Sequence, residues 1–137
     1  MITVNVQPNV RIAVEDINPA GGKTILLLHG WPLNRNMFEY QLHLLPKYDY
    51  RCVLMDLRGF GDSDRPSDGY RYNQLARDVN AVVRSLGLTQ FTLAGFPWAG
   101  RWRFGTCPSF QAPRWRSSAS FPRRRPPLFR STALPTV

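Results

Sequence analysis

Apolar and polar residues alternate with period two at the start of the chain: Ile2, Val4 and Val6, then Ile12 and Val14 after the break at Gln7-Pro8-Asn9. Successive side chains of a strand point to opposite faces, so the pattern predicts two short strands joined by a turn. After Gly21-Gly22 the alternation gives way to an unbroken apolar run, Ile25-Leu-Leu-Leu28, and Cys52-Val-Leu-Met55 is a second one. Such runs are expected of strands covered on both faces, as in parallel sheets. Between them Met37, Phe38, Tyr40, Leu42, Leu44 and Leu45 recur at helical intervals, with Asn34 or Asn36 available as cap and Pro46 close behind. This stretch predicts a short amphipathic helix. A second helix is predicted where Leu75, Val79, Val82, Val83 and Leu86 share one face and Gly87 follows as a C-terminal cap. Phe91-Thr-Leu-Ala94 returns to strand. A hairpin followed by β, α, β, α, β implies an α/β fold in which crossover helices join the strands of a mostly parallel sheet.

That grammar stops at Pro97. Residues 97–137 hold 7 of the 12 prolines and 3 of the 4 tryptophans, with no lysine, no isoleucine and no periodicity of 2 or 3.6. The run Arg123-Arg-Arg-Pro-Pro127 has no place in a packed helix. The chain therefore divides into a body, 1–96, and an Arg/Pro/Ser-rich tail, 97–137, expected to be disordered. The net charge of +9 divides in the same way: the body carries 10 Lys+Arg against 9 Asp+Glu, whereas the tail carries 8 Arg and no acid. A basic balance of this size suggests a nucleic-acid or membrane partner only when a scaffold organises it, and here it belongs to the tail alone. Nucleic acid is accordingly not expected as a partner.

Cys52 lies in an apolar run and Cys107 in the tail, a spacing that offers neither a metal site nor a disulfide framework. The N-terminus lacks the layout of a secretory signal. No apolar run reaches the ~18 residues of a membrane span. A cytoplasmic, membrane-free protein without cofactor or metal is the expectation.

Three segments carry chemistry: Thr24-Ile-Leu-Leu-Leu-His-Gly-Trp-Pro32, Asp56-Leu-Arg-Gly-Phe-Gly-Asp-Ser-Asp-Arg-Pro66 and Phe91-Thr-Leu-Ala-Gly-Phe96. Together they resemble the N-terminal half of the α/β-hydrolase superfamily, in its serine-hydrolase, esterase and haloperoxidase-like branch. The resemblance implies the first half of that family's mostly parallel sheet, and it covers roughly residues 1 to 96. In the family the third segment continues Gly-x-Ser-x-Gly, a sharp turn that exposes the serine hydroxyl above the sheet. Here it continues Pro97-Trp98-Ala99-Gly100. Proline has no hydroxyl, and its φ near −65° does not supply the strained backbone of that turn. At 137 residues the chain is also short for a fold of about 200 to 250 residues, and the triad acid and histidine of the family follow the nucleophile in chain order. A fragment inactive as written is expected, related to enzymes that cleave small ester-like substrates through an acyl-enzyme.

The tail's composition is that of a G+C-rich coding strand read one base out of frame. Restoring one base beside the Phe96 codon makes position 97 Ser, Pro, Thr or Ala and forces position 99 to glycine and, with the common CGN arginine codons, position 103 to alanine. One allowed string, Gly-Phe-Ser-Met-Gly-Gly-Ala-Val-Ala-Ile-Arg-Tyr-Met, resembles the family's nucleophile turn and the helix after it. Position 97 does not encode aspartate in that frame, which favours the serine branch over the epoxide hydrolases and haloalkane dehalogenases.

By the same resemblance, the backbone N–H groups of Trp31 and Trp98 would hold the developing negative charge of a tetrahedral intermediate. His29 and Gly30 would support that loop, His29 as a brace and not as the general base. His43 is expected to be solvated, and Asp56 with Arg58 and the neighbouring glycines to shape a loop. Asp62 and Asp64 are expected to serve turns and caps, since no His or Glu accompanies them as metal ligands would require. Two other readings stand beside the hydrolase fragment: a non-catalytic relative that binds a small molecule or partner, and a nucleic-acid-binding module using the arginines and aromatics of the tail.

Overall fold

The alternating residues of the first 17 positions form an antiparallel hairpin in the computed structural model, which describes residues 1–95. Strand β1 (Ile2–Gln7) pairs with β2 (Val10–Ile17) in a register that sets Ile2 opposite Val14 and Val4 opposite Ile12. The two unbroken apolar runs become β3 (Lys23–Leu28) and β4 (Tyr50–Met55), which run parallel to one another, and β5 (Thr92–Gly95) lies parallel to β3 on its other side. Since β2 also pairs antiparallel with β4, the sheet order is β1-β2-β4-β3-β5. This is the mixed, mostly parallel α/β sheet that the pattern predicts.

The pleat sorts the interior strands onto two apolar cores. Leu26, Leu28, Val53 and Met55 pack with Val79, Val82 and Val83 of α2 (Tyr72–Ser85), whereas Leu27, Cys52 and Leu54 pack with Phe38 on the opposite face. Each fully buried leucine removes apolar area worth roughly 1.5–3 kcal/mol from water, and β3 and β4 concentrate such residues in mid-sheet. The Cys52 thiol is among them, and burial raises its pKa.

Helix α2 stops at Gly87. The Gly87 N–H donates to Arg84 O at 3.1 Å and the Leu88 N–H to Val83 O at 3.0 Å, with Gly87 at φ +61°. This is the double closure of a glycine cap, with Leu88 returning into the same core as Val83. The first predicted helix is broken up. A 3-10 turn at Arg35–Phe38 leads into α1 (Glu39–Leu44), and a second 3-10 turn, Leu45–Tyr48, follows. Asn34 is the cap, its side chain accepting from the Asn36 N–H at 3.0 Å. Pro46 in the second 3-10 turn lacks the amide that would continue an α-helix. A six-residue helix is too short to keep one stripe inward, so Tyr40 and Leu44 are exposed while Met37, Leu42 and Leu45 lean on the core. Among the described residues no helix is long and apolar enough to cross a membrane.

Candidate functional site

Strand β3 delivers the chain to the carboxyl edge of the sheet. His29 and Gly30 are buried there, and the backbone then surfaces at Trp31, which is 65% exposed. The Leu33 N–H closes the turn onto Gly30 O at 2.8 Å, and the Trp31–Pro32 peptide is cis. Because β3 connects to β4 on one side and the chain returns over it to β5 on the other, β3 marks the point where the strand order reverses. Crevices at the carboxyl ends of parallel strands form at such a point.

His29 ties this turn to the next loop. Its Nε2 accepts the Leu57 N–H at 2.9 Å, which leaves the proton on Nδ1, 3.1 Å from Gly30 O. Burial lowers the pKa of the imidazole from its ordinary 6.5, against smaller opposing effects of the Gly30 hydrogen bond and the Asp56 charge. Phe60 stands edge-on to the ring with centroids 5.4 Å apart. With both nitrogens committed, His29 has no lone pair to offer a substrate proton.

The loop after β4 is held by buried polar groups. Asp56, fully buried, forms an ion pair with the Arg35 guanidinium and accepts the Arg35 N–H at 2.7 Å and the Asp62 N–H at 3.0 Å. Burial alone would lower the Arg35 pKa, yet its contacts with Asp62 and Asp56 outweigh that and leave it raised. Ser63 Oγ donates to Asp56 O at 2.7 Å and accepts the Ala13 N–H at 2.9 Å, fastening the loop to the hairpin. Asp56 and Arg58, expected to shape this loop, do so through different partners. Asp56 pairs with Arg35, brought in by the first 3-10 turn, while Arg58 turns the other way and pairs with Asp78 of α2. The expectation of turn and cap duty for Asp62 and Asp64 also changes: Asp62 pairs with Arg35 at 2.8 Å and Asp64 with Arg11 at 3.1 Å. In both cases the carboxylate gains a charge-assisted partner, and Asp64 also accepts the Arg11 N–H at 2.8 Å.

A cavity of about 370 Å³ opens between the His29–Pro32 turn and the start of α2. Leu28, Leu57, Phe60 and Leu75 supply apolar wall, and Trp31, Tyr70 and Tyr72 bring exposed aromatic rings to it. Leu75, expected in the core, is half-buried at this wall. Of the residues singled out from the sequence for chemistry, His29, Gly30, Trp31 and Arg58 meet at the cavity. His43 is exposed on α1, its Nδ1 2.8 Å from Glu39 O. Pro97 and Trp98, and with them the expectation of a disordered tail, lie outside the described residues. Among the described residues no group of three or more His, Cys, Asp or Glu side chains could hold a metal ion.

Sequence reasoning passed over Arg35, Asp78 and the aromatic wall. Asp78 carried a signal, since it falls on the apolar stripe of α2 between Leu75 and Val79, and a charge there demands a partner. Arg35 had no comparable mark, because its carboxylates come from two segments remote from it in sequence, Glu15 of β2 and Asp56 and Asp62 of the loop after β4.

A family model described as the alpha/beta hydrolase fold matches residues 23–102. The chain is 48% identical over 97 residues to the AB hydrolase superfamily protein YisY of Bacillus subtilis, covering 71% of this chain and 35% of that protein. Among solved structures, an esterase from Exiguobacterium antarcticum matches with a TM-score of 0.64 at 45% identity, over 69% of this chain and 34% of that one. A bromoperoxidase from Bacillus anthracis matches with a TM-score of 0.73 at 32% identity, over 84% and 41%. The chain thus spans about a third of the length of the curated relative it matches.

Proposed function

The chain belongs to the α/β-hydrolase superfamily, and from that premise we propose that it carries the charge-stabilising half of an ester-hydrolase site without the attacking half. The observation that carries this reading is the turn at the end of β3, where the exposed Trp31 borders an apolar cavity while His29 is locked as a neutral brace. A preorganised backbone N–H stabilises a developing oxyanion, and the Trp31 amide is the donor assigned that role. Relatives with an intact site would cleave small ester-like molecules through an acyl-enzyme.

The attacking half is assigned to the position of Pro97, which has no nucleophilic atom. We attribute this residue and the composition of the tail to a shifted reading frame, and on that account the chain as written is catalytically inactive. A fluorophosphonate probe, which captures an activated serine, tests the assignment by intact mass. No adduct is expected on the purified polypeptide, and stoichiometric labelling would refute it. Resequencing the DNA around the Phe96 codon tests the origin of the tail. One additional base should open a frame that encodes a serine at position 97 and, further on, an acid and a histidine.

A further inference from the structure

We propose that Asp68-Gly69 is a modification site at which the backbone isomerises spontaneously through a succinimide, leaving isoaspartate at position 68 in the bend beside the cavity. Of the seven aspartates in the chain, Asp68 alone precedes a glycine, and no asparagine does. A glycine lacks the Cβ that would shield its backbone nitrogen from the preceding carboxyl. Ser67 and Asp68 are exposed in a bend outside helix and strand. Among the described residues, neither the Asp68 carboxylate nor the Gly69 N–H has a hydrogen-bond partner. Electrophile and nucleophile are thus adjacent and both unengaged.

The fold itself demands glycine after Asp68. Gly69 stands at φ +83°, where a side chain is strained, and a Cβ there would lie 2.1 Å from Nη1 of the buried Arg58. The Tyr70 hydroxyl donates to Pro66 O at 2.6 Å and closes a short loop around Ser67, Asp68 and Gly69. The other aspartates are held. Asp16, Asp56, Asp62, Asp64 and Asp78 pair with arginines, and the amides after Asp56 and Asp62 donate to His29 Nε2 at 2.9 Å and to Phe60 O at 3.0 Å. Asp49 is followed by Tyr50, the first residue of β4, which carries a side chain and a place in the sheet.

In the reaction the Gly69 nitrogen attacks Cγ of the protonated Asp68 carboxyl. The new N–Cγ bond closes the succinimide ring while the carboxyl hydroxyl and the amide proton depart together as water. Water then adds to one of the two ring carbonyls. Breaking the bond to Cγ restores aspartate, whereas breaking the bond to the Asp68 main-chain carbonyl carbon leaves Gly69 joined through Cγ, with a free α-carboxylate. Water is released once and consumed once, with no change of oxidation state. The product lengthens the main chain by a carbon in a loop that lies against Arg58 and sets the Tyr70 ring on Gly59, where a Cβ would come within 2.6 Å of the ring. Isomerisation thereby moves the Tyr70 side of the cavity wall. Asp68 and Gly69 take no part in the proposed ester-hydrolase site.

The test ages the full chain in neutral buffer and maps it with an endoprotease that cuts before aspartate but not before isoaspartate. Cleavage at Asp68 is expected to disappear progressively with no change in peptide mass, through an intermediate lighter by one water, while cleavage at Asp49 and Asp62 persists. Asp68→Glu, which would have to close a larger ring, should abolish that intermediate. A parallel sample in urea gives the rate for the unfolded sequence, and the folded chain should come close to it. Undiminished cleavage at Asp68, equal isomerisation at Asp62, or reaction at Asp68 confined to the urea sample would each overturn the assignment.

Discussion

Arg58 and Asp78 face each other in a two-point ion pair, Nε to Oδ2 at 2.6 Å and Nη2 to Oδ1 at 2.7 Å, with both side chains 1% exposed. Gln7 Oε1 accepts from Arg58 Nη2 at 3.0 Å, and Gln74 Nε2 donates to Asp78 Oδ1 at 3.1 Å. The cluster joins β1, the loop after β4 and α2, and Arg58 is among the residues lining the cavity. Its charge is neutralised by Asp78.

Removing one partner strands the other. Asp78→Ala is expected to lower stability by about 3–5 kcal/mol, because a buried guanidinium without its carboxylate retains the desolvation cost and loses the attraction. Replacing both, Arg58→Met with Asp78→Leu, should recover most of that loss. Urea midpoints for the single and double variants decide the matter, and an additive double variant would contradict it.

His29 makes stability depend on pH in a defined direction. Its pKa in the folded chain lies below the ordinary 6.5, so between those two values the unfolded chain binds more protons and folding weakens as pH falls. The contribution is complete above 6.5, declines as pH drops toward the folded-state pKa, and changes no further below it. His29→Phe keeps a ring against Phe60 but leaves the buried Leu57 N–H without an acceptor, at a cost of about 1–3 kcal/mol. Unfolding midpoints measured from pH 7.5 to 4.5 should show this decline in the parent chain and lack it in the variant.

Asp64 adds a separate acid response. Hydrogen bonds donated to its carboxylate by the Arg11 side chain and the Arg11 backbone N–H hold its carboxyl below the ordinary 3.8. A lowered carboxyl pKa contributes stability above the unfolded-state value, which is lost as pH falls through the folded-state value. Asp64→Asn should flatten the acid limb below pH ~4 while the His29-linked decline at higher pH remains.

Gly61 sits at φ +51°, and a Cβ there would run into the Asp56 carboxylate. Gly61→Ala is expected to cost more than the roughly 1–2 kcal/mol of a left-handed backbone alone, since the Arg35–Asp56 pair must also shift. Faster amide exchange at Arg35 and Asp62, whose N–H groups donate to Asp56, would register that shift.

Periodicity was sufficient for the elements whose burial repeats along the chain. The two-residue alternation of β1 and β2, the unbroken runs of β3 and β4 and the apolar stripe of α2 each encode which faces are covered, and Gly87 marks the end of that helix. The stretch from Met37 to Leu45 misled, because its apolar residues fit one helical stripe on paper while Pro46 and the shortness of α1 divide them between solvent and core.

The chain order of residue types alone thus determined an α/β sheet, its crossover helices and the family-like turn at His29–Pro32, because local repeat and turn chemistry act over a few residues. The pairings of Arg58 with Asp78 and of Arg35 with Glu15, Asp56 and Asp62, and the cavity they support, were decided only by the tertiary structure. Those contacts join groups 20 to 27 positions apart, and which charge meets which depends on strand order and helix rotation, which no short window of residues contains.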